Sequence, residues 1–101
     1  MKLKKGVKLL GVKPELIIGL IICNTVYEKH GVEMVITSKT DGKHRDYSDH
    51  YKGYGMDLRT RNIPDVQTRS AIEMEIKESI TEDYRIIFEK DHFHFAYKPK
   101  S

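Results

Sequence analysis

Two short segments of this 101-residue chain contain side chains that can bind a metal ion. Residues 48–57 place His50 and Asp57 seven positions apart, and residues 91–94 read Asp-His-Phe-His. His50, Asp57 and His94 can supply two imidazoles and one carboxylate to a single ion, with the Asp91 carboxylate left beside it. Three protein ligands with an open position are typical of catalytic rather than structural zinc. We therefore expect these three residues to bind Zn²⁺, although their types also suit manganese, iron or cobalt.

The second segment also contains the groups that metal-assisted hydrolysis requires. A carboxylate next to a metal-activated water can take its proton and later pass that proton to the leaving amine, and Asp91 is the candidate for this role. His92 lies two residues before His94, so both imidazoles share a face in a regular strand. We expect His92 to orient the substrate or to stabilise an oxyanion. The alternative for Asp91 is a hairpin turn, where aspartate is common.

A long polar segment, residues 39–54, separates two predicted strands. A loop of this length in a small domain is usually either functional or disordered. Its candidates for substrate binding are His44, Arg45, Ser48 and Tyr51. Each has a simpler alternative: a solvent-exposed side chain for the first two, a hydrogen bond within the loop for Ser48, and packing for Tyr51.

The composition limits both the size of the protein and the kind of partner it binds. A length of 101 residues predicts one domain, 1–101. Eighteen Lys and Arg against 15 Asp and Glu give a net charge of +3, which is mildly basic. The chain has neither an arginine-rich stripe nor a recognisable nucleic-acid-binding module, so we do not expect nucleic acid as a partner. Attraction of the terminal lysines to an anionic polymer such as a bacterial cell wall is the alternative to solvated tails.

The N-terminal region and the single cysteine indicate the cellular compartment in which the protein is made. The uninterrupted apolar run, residues 16–23, is too short to span a bilayer, and no small-residue cleavage site follows it. We expect synthesis in the cytoplasm without a signal peptide. A single cysteine cannot form an internal disulfide, and the apolar neighbours of Cys23 predict a buried core residue rather than a nucleophile.

The order of predicted elements gives the fold class. Pro14 begins a helix over 14–30, and Gly31 ends it. Strands are predicted at 33–38, 55–59, 84–89 and 93–97, and Pro64 with Asp65 begins a second helix. The apolar face predicted for this second helix consists of Val66, Ile72, Met74, Ile76 and Ile80. We expect an α+β domain with a small antiparallel sheet and two main helices.

The two metal-binding segments match the motifs of a known family. The first motif is Ser-x-His-x-x-Gly-x-Ala-x-Asp, and residues 48–57 match it except at Gly55, which replaces the alanine with another small residue. The second motif is an acidic residue, two spacers and a histidine, matched by Asp91 and His94. The chain thus resembles the zinc D-alanyl-D-alanine carboxypeptidases, a family that includes phage L-alanyl-D-glutamate endopeptidases and is related to the Hedgehog signalling domain.

The resemblance implies a fold, a site and a function. It implies a Hedgehog-like fold with zinc held by His50, Asp57 and His94, and a catalytic carboxylate at Asp91. It also implies a hydrolase that cuts a D-amino-acid-containing amide bond in bacterial peptidoglycan. A compact chain of this kind resembles phage or prophage proteins that reach the cell wall during lysis or on the virion. The alternative is a non-catalytic, zinc-stabilised binding or virion structural module of the same fold.

Overall fold

The computed structural model of the protein describes residues 1–39 and 55–99. Its elements, in chain order, are β1 (Lys2–Leu3), α1 (Pro14–Lys29), β2 (Val35–Lys39), β3 (Gly55–Arg59), α2 (Val66–Ser79), β4 (Tyr84–Glu89) and β5 (His92–Tyr97). The described part of the chain is therefore α+β, as the sequence predicts. The bounds of β3 and β4 agree with the prediction, and those of α1, β2 and β5 differ from it by one or two residues.

The strands form one mixed sheet in the order β1-β2-β3-β5-β4. The three pairings from β2 to β4 are antiparallel, but β1 pairs with β2 in parallel, with Lys2 opposite Val35. The prediction of a wholly antiparallel sheet is wrong on this point. A two-residue strand is too short to be recognised from the sequence, and its parallel pairing arises because α1 forms the crossover connection between β1 and β2.

Helix α1 covers one face of the sheet. It begins with Pro14, whose missing amide hydrogen costs nothing in the first turn, and the chain leaves it through Gly31 at a φ of 71°. Its buried side is formed by Leu16, Gly19, Leu20, Cys23, Val26 and Tyr27. Ile21 is apolar but does not belong to this side, and 54% of it is exposed. The helix is apolar on much of its surface, so its sequence does not specify which side faces the sheet.

Helix α2 has a narrower buried face than the sequence predicts. Asp65 caps it by accepting a 2.7 Å hydrogen bond from the Thr68 amide, which lowers the pKa of the Asp65 carboxyl. Only Ile72 and Ile76 are buried within this helix. Met74 was predicted on the same face but is 62% exposed, because a residue two positions from Ile72 points to the other side of a helix.

The one cysteine lies in the core, as expected. Cys23 is fully buried on α1, and burial raises the pKa of its thiol. The neighbouring Tyr27 phenol also has a raised pKa, chiefly because of burial. Its hydroxyl donates a 2.9 Å hydrogen bond to the Arg59 carbonyl, so the core is tied directly to β3. A thiol that resists ionisation is a poor nucleophile, and this excludes Cys23 from the candidate chemistry.

Helix α1 approaches the sheet closely at Gly19. A Cβ atom at this position would lie 2.6 Å from Tyr84 Cε1 and 2.7 Å from Phe95 Cε2. The two rings stack on each other with centroids 5.7 Å apart, so neither can move away independently. Such a methyl group overpacks the interface, and glycine is therefore required here despite its cost within a helix.

We expect Gly19→Ala to destabilise the protein. The clash outweighs the better helix propensity of alanine and leaves a net loss of about 1–2 kcal/mol. For a domain of this size that loss lowers Tm by roughly 4–16 °C, which thermal unfolding followed by circular dichroism would measure. Ser70→Ala, at an exposed position of α2, should leave Tm nearly unchanged. A Gly19→Ala protein as stable as the wild type would contradict the close packing.

The sheet has one apolar face and one polar face. Met56 and Leu58 on β3, with Phe93 and Phe95 on β5, are fully buried among the helices. Alternation along the strands puts the residues between them on the opposite face. Asp57, Arg59, His92 and His94 occupy this polar face of the sheet, and all are partly buried. Among the described residues, neither helix has the length and apolar character needed to cross a membrane.

Candidate metal centre

The structure brings together one residue from each metal-binding segment. Asp57 on β3 and His94 on β5 are direct cross-strand partners, and His94 Nδ1 lies 3.3 Å from Asp57 Oδ1. Their side chains are 19% and 14% exposed, so the contact is sheltered but open to solvent. The structure therefore places Asp57 and His94 side by side on adjacent strands.

The apolar face of the sheet fixes this pairing. Met56 lies opposite Phe95, and Leu58 lies opposite Phe93. A slip of one residue along β5 would move both phenylalanines to the solvent side. Because burying a phenylalanine contributes about 1.5–3 kcal/mol, that slip is strongly disfavoured. The core thereby sets the position of the imidazole on the other face of the strand.

His92 links three carboxylates on the polar face. Its Nδ1 lies 3.2 Å from Asp91 Oδ1, and its Nε2 lies 3.5 Å from Glu89 Oε1 and 3.8 Å from Asp57 Oδ1. His92 and His94 therefore both contact Asp57 Oδ1, which confirms that the two imidazoles share a face. The ring of His92 lies between the candidate base and a candidate metal ligand.

Asp91 lies in the turn that joins β4 to β5. It follows Lys90, which has a left-handed φ of 53°, and its carbonyl accepts a 3.2 Å hydrogen bond from the Thr60 amide. Its carboxyl side chain is 80% exposed. The hydrogen bond with His92 is the main reason that the Asp91 pKa lies below its ordinary value, and the positive charge of Arg61 adds a smaller effect. Asp91 is therefore a turn residue, and its carboxylate contacts the cluster through His92.

The distance between Asp57 and His94 is that of a hydrogen bond between the two side chains, and it is also compatible with two ligands of one ion. Two ligand atoms bound at 2.0–2.2 Å in a tetrahedral site lie roughly 3.3–3.6 Å apart. The separation of 3.3 Å between His94 Nδ1 and Asp57 Oδ1 falls in this range. This pair of atoms can therefore serve as two ligands of one ion without moving apart.

The charges around His92 also favour a cation. With the hydrogen assigned to Nδ1 so that it bonds to the Asp91 carboxylate, the Nε2 lone pair faces Asp57 and Glu89. Two carboxylate oxygens repel that lone pair, and a bound cation would balance them.

Comparison of the chain with protein-family models, with curated proteins and with solved structures gives no match. The α+β class and the two-helix, mixed-sheet architecture rest on the structure itself. The candidate site therefore rests on the distances and contacts between its own residues.

The remaining site residues named from the sequence lie outside the described residues. They are the third candidate ligand, His50, and the four candidates for substrate binding, His44, Arg45, Ser48 and Tyr51. Within residues 1–39 and 55–99, no group of three or more His, Cys, Asp or Glu side chains is arranged as a metal site. This part of the chain contributes the Asp57–His94 pair, and a third ligand from residue 50 stays a prediction.

A cationic cleft next to this cluster is lined by Lys4, Thr37, Arg59, Arg61, Asp91 and His92, and the sequence did not single out its Lys4 and Arg61. Lys4 follows β1, and Arg61 follows β3 after Thr60. Arg59 has a visible signal, because it lies two residues after Asp57 on the same strand face. Lys4 has none, since its position depends on the parallel pairing of β1.

Proposed function

We propose that this protein is a zinc-dependent peptidase that hydrolyses a D-amino-acid-containing amide bond in bacterial peptidoglycan. The bond is either the one between two D-alanines or the one between L-alanine and a D-configured residue. The observation that carries the proposal is the 3.3 Å contact between Asp57 and His94. These residues come from the two segments that resemble the zinc carboxypeptidase and endopeptidase motifs, and they meet at a distance suited to zinc ligands.

Each side chain has a defined part in this reaction. Bound zinc lowers the pKa of water to about 7 and polarises a carbonyl group. Asp57 and His94 would hold the ion on the polar face of the sheet, with His50 as the third ligand expected from the sequence. The Asp91 carboxylate accepts a proton from the attacking water and passes it to the nitrogen of the leaving amine. The Asp91 carboxyl is ionised at neutral pH, the form that can accept a proton, although its pKa below the ordinary value makes it a weaker base.

His92 acts as a positioning residue for that carboxylate. Its Nδ1 bonds to Asp91 Oδ1 at 3.2 Å, while its Nε2 faces Asp57. The rigid ring thereby sets the direction in which an otherwise exposed carboxylate points. Because the proposed substrate is peptidoglycan, the protein would act at the bacterial cell wall. It would reach the wall during phage lysis or on a virion.

The direct test is digestion of purified peptidoglycan by zinc-loaded protein, with the released fragments identified by mass spectrometry. We expect fragments that differ by hydrolysis of a single peptide bond, loss of activity with a chelator, and recovery when zinc is added back. Both meso-diaminopimelate-type and lysine-type walls should be used. Tight zinc binding without cleavage of either wall would contradict the proposal and favour the non-catalytic binding or virion module.

A further inference from the structure

Strand β4 forms one edge of the sheet. The strand order leaves its outer side without a neighbouring strand among residues 1–39 and 55–99. Exposed strand edges can pair with another strand, and proteins commonly prevent this with short edge strands, lysine, proline or a bulge. The opposite edge strand, β1, has only two residues. Strand β4 has six residues, contains neither lysine nor proline, and pairs with β5 without a bulge, so this edge is open to pairing.

The hairpin between β4 and β5 determines which backbone groups of β4 point outward. Glu89 and His92 close a two-residue loop, so they form a hydrogen-bonded pair. Hydrogen-bonded and non-hydrogen-bonded pairs alternate along an antiparallel ladder. The amide and carbonyl groups of Ile86 and Phe88 therefore point away from β5, and no described residue bonds to them. These groups are available to pair with another strand.

The outer edge of β4 is complementary to itself. Two copies related by a two-fold axis at Ile87 would pair in antiparallel orientation, with Ile86 opposite the partner's Phe88. Each such pair would exchange both of its outward backbone hydrogen bonds. Residues opposite each other lie on the same face of a sheet, so the two copies would have their helices on one side and their polar faces on the other.

Opposite charges would meet in this register. Arg85 is exposed and is not in an ion pair with any described residue, while Glu89 is 55% exposed and contacts His92 through Oε1. Arg85 would lie opposite the partner's Glu89, and the pair would occur twice because a two-fold interface is isologous. A shift of two residues along the strand would instead put Glu89 opposite Asp83 or Ile87. Charge therefore favours the register with Ile87 at the axis.

The same register would cover exposed apolar side chains. Ile87 is 41% exposed and Phe88 is 36% exposed. Ile87 would meet its own copy on the polar face of the sheet, and Phe88 would lie beside the partner's Ile86 on the face that the helices cover. Removing these side chains from water adds a hydrophobic contribution to the hydrogen bonds and ion pairs.

We propose that β4 pairs with β4 of a second copy of this chain, in antiparallel orientation and with Ile87 at the two-fold axis. The contact joins two five-stranded sheets into one. His94 lies opposite Ile87, so the imidazoles of the two candidate metal centres line up across the axis on one polar face. Three strand spacings, roughly 14 Å, separate the two β5 strands. Neither zinc nor turnover is needed for this contact.

A cysteine at the axis tests the register directly. Residues opposite each other in a non-hydrogen-bonded pair have Cα atoms about 4.5 Å apart, a distance that a disulfide can bridge. In zinc-free protein equilibrated with a glutathione redox buffer, we expect Ile87→Cys to accumulate as a disulfide-linked dimer. Ile18→Cys, at a position of α1 that is 57% exposed, should instead carry glutathione, and the buried Cys23 should not react. Equal amounts of covalent dimer from the two variants, measured by intact mass spectrometry, would overturn the inference.

Charge reversal tests the same contact without a covalent bond. Sedimentation equilibrium of the zinc-free wild type should show a monomer–dimer equilibrium at concentrations up to about 1 mM, because small interfaces associate weakly. Arg85→Glu and Glu89→Arg should each weaken association by roughly 10-fold or more, because each substitution puts like charges opposite each other twice. Both positions are exposed, so both variants should fold.

The two single variants are complementary to each other. Mixed in equal amounts, Arg85→Glu and Glu89→Arg would restore both ion pairs and should form a heterodimer as stable as the wild-type dimer. Lys5→Glu and Glu28→Arg make the same charge changes at exposed positions away from β4. Each of these control variants should associate as the wild type does, and mixing them should add nothing. A wild type that stays monomeric, or a mixture that associates no more tightly than its separate components, would reject the β4 contact.

Discussion

Zinc affinity is expected to fall by more than about 100-fold when His94 is replaced by alanine. Loss of an outer-shell partner of a metal ligand already costs about 10–100-fold, so loss of a ligand should cost more. His94 Nδ1 is the atom that meets Asp57 Oδ1 at 3.3 Å, and removing the imidazole leaves Asp57 without this partner. A competition titration against a chromophoric zinc chelator would measure the effect.

The fold should survive this substitution. His94 lies on the polar face of β5, between the buried residues Phe93 and Phe95, and contributes nothing to the apolar core. The zinc-free His94→Ala protein should therefore still fold, and its unfolding temperature should be lower than that of the zinc-free wild type only by the loss of the Asp57 contact. A larger difference should appear with zinc, because a bound ligand stabilises the folded state more when it binds more tightly.

His30→Ala is the matched control for the metal titration. His30 lies at the end of α1, where its Nε2 is 2.7 Å from Glu75 Oε2. The substitution removes one imidazole at a distance from the polar face of the sheet and should leave zinc affinity unchanged. If His94→Ala binds zinc as tightly as the wild type, or if His30→Ala loses the metal instead, the candidate centre is wrong.

The Asp57–His94 contact could be predicted because it depends on patterns that the sequence displays. Strand β3 was predicted with its observed bounds, and the His-x-His spacing on β5 indicates one face of a strand. The pairing of these two strands then brings the two segments together. The pairing depends on the order of the strands in the sheet. The two motifs suggest this order, and hydrophobic periodicity alone does not specify it.

The cationic cleft could not be predicted, because it depends on long-range pairing of a very short strand. Lys4 reaches the cleft since β1 pairs in parallel with β2 on the far side of α1. Residues 1–4 do alternate between apolar and lysine side chains, but so short a stretch does not specify a strand, and nothing in it indicates pairing with β2. The two helices show a related limit of prediction from sequence, since Ile21 on α1 and Met74 on α2 are apolar yet exposed. Composition identifies apolar residues, but tertiary packing selects which of them are buried.

Hydrolysis by Asp91→Asn is expected to be about 10²–10⁴-fold slower than by the wild type, the usual contribution of general acid–base catalysis. Asparagine is nearly the same size as aspartate and keeps an oxygen that can accept the hydrogen bond from His92. It cannot take a proton from water at neutral pH. Zinc affinity should change little, because Asp91 contacts the centre through His92 and is 80% exposed. The two measurements are the rate of fragment release and the chelator competition.

Glu89→Gln provides the control for this substitution. Glu89 also contacts His92, with Oε1 3.5 Å from Nε2, and its side chain is 55% exposed. Both substitutions remove one negative charge next to the same imidazole, so a general electrostatic effect would slow both variants alike. The proposed chemistry instead requires a large loss for Asp91→Asn and little change for Glu89→Gln. The reverse result would make Glu89 the base, and unchanged turnover in Asp91→Asn would eliminate the role assigned to that carboxylate.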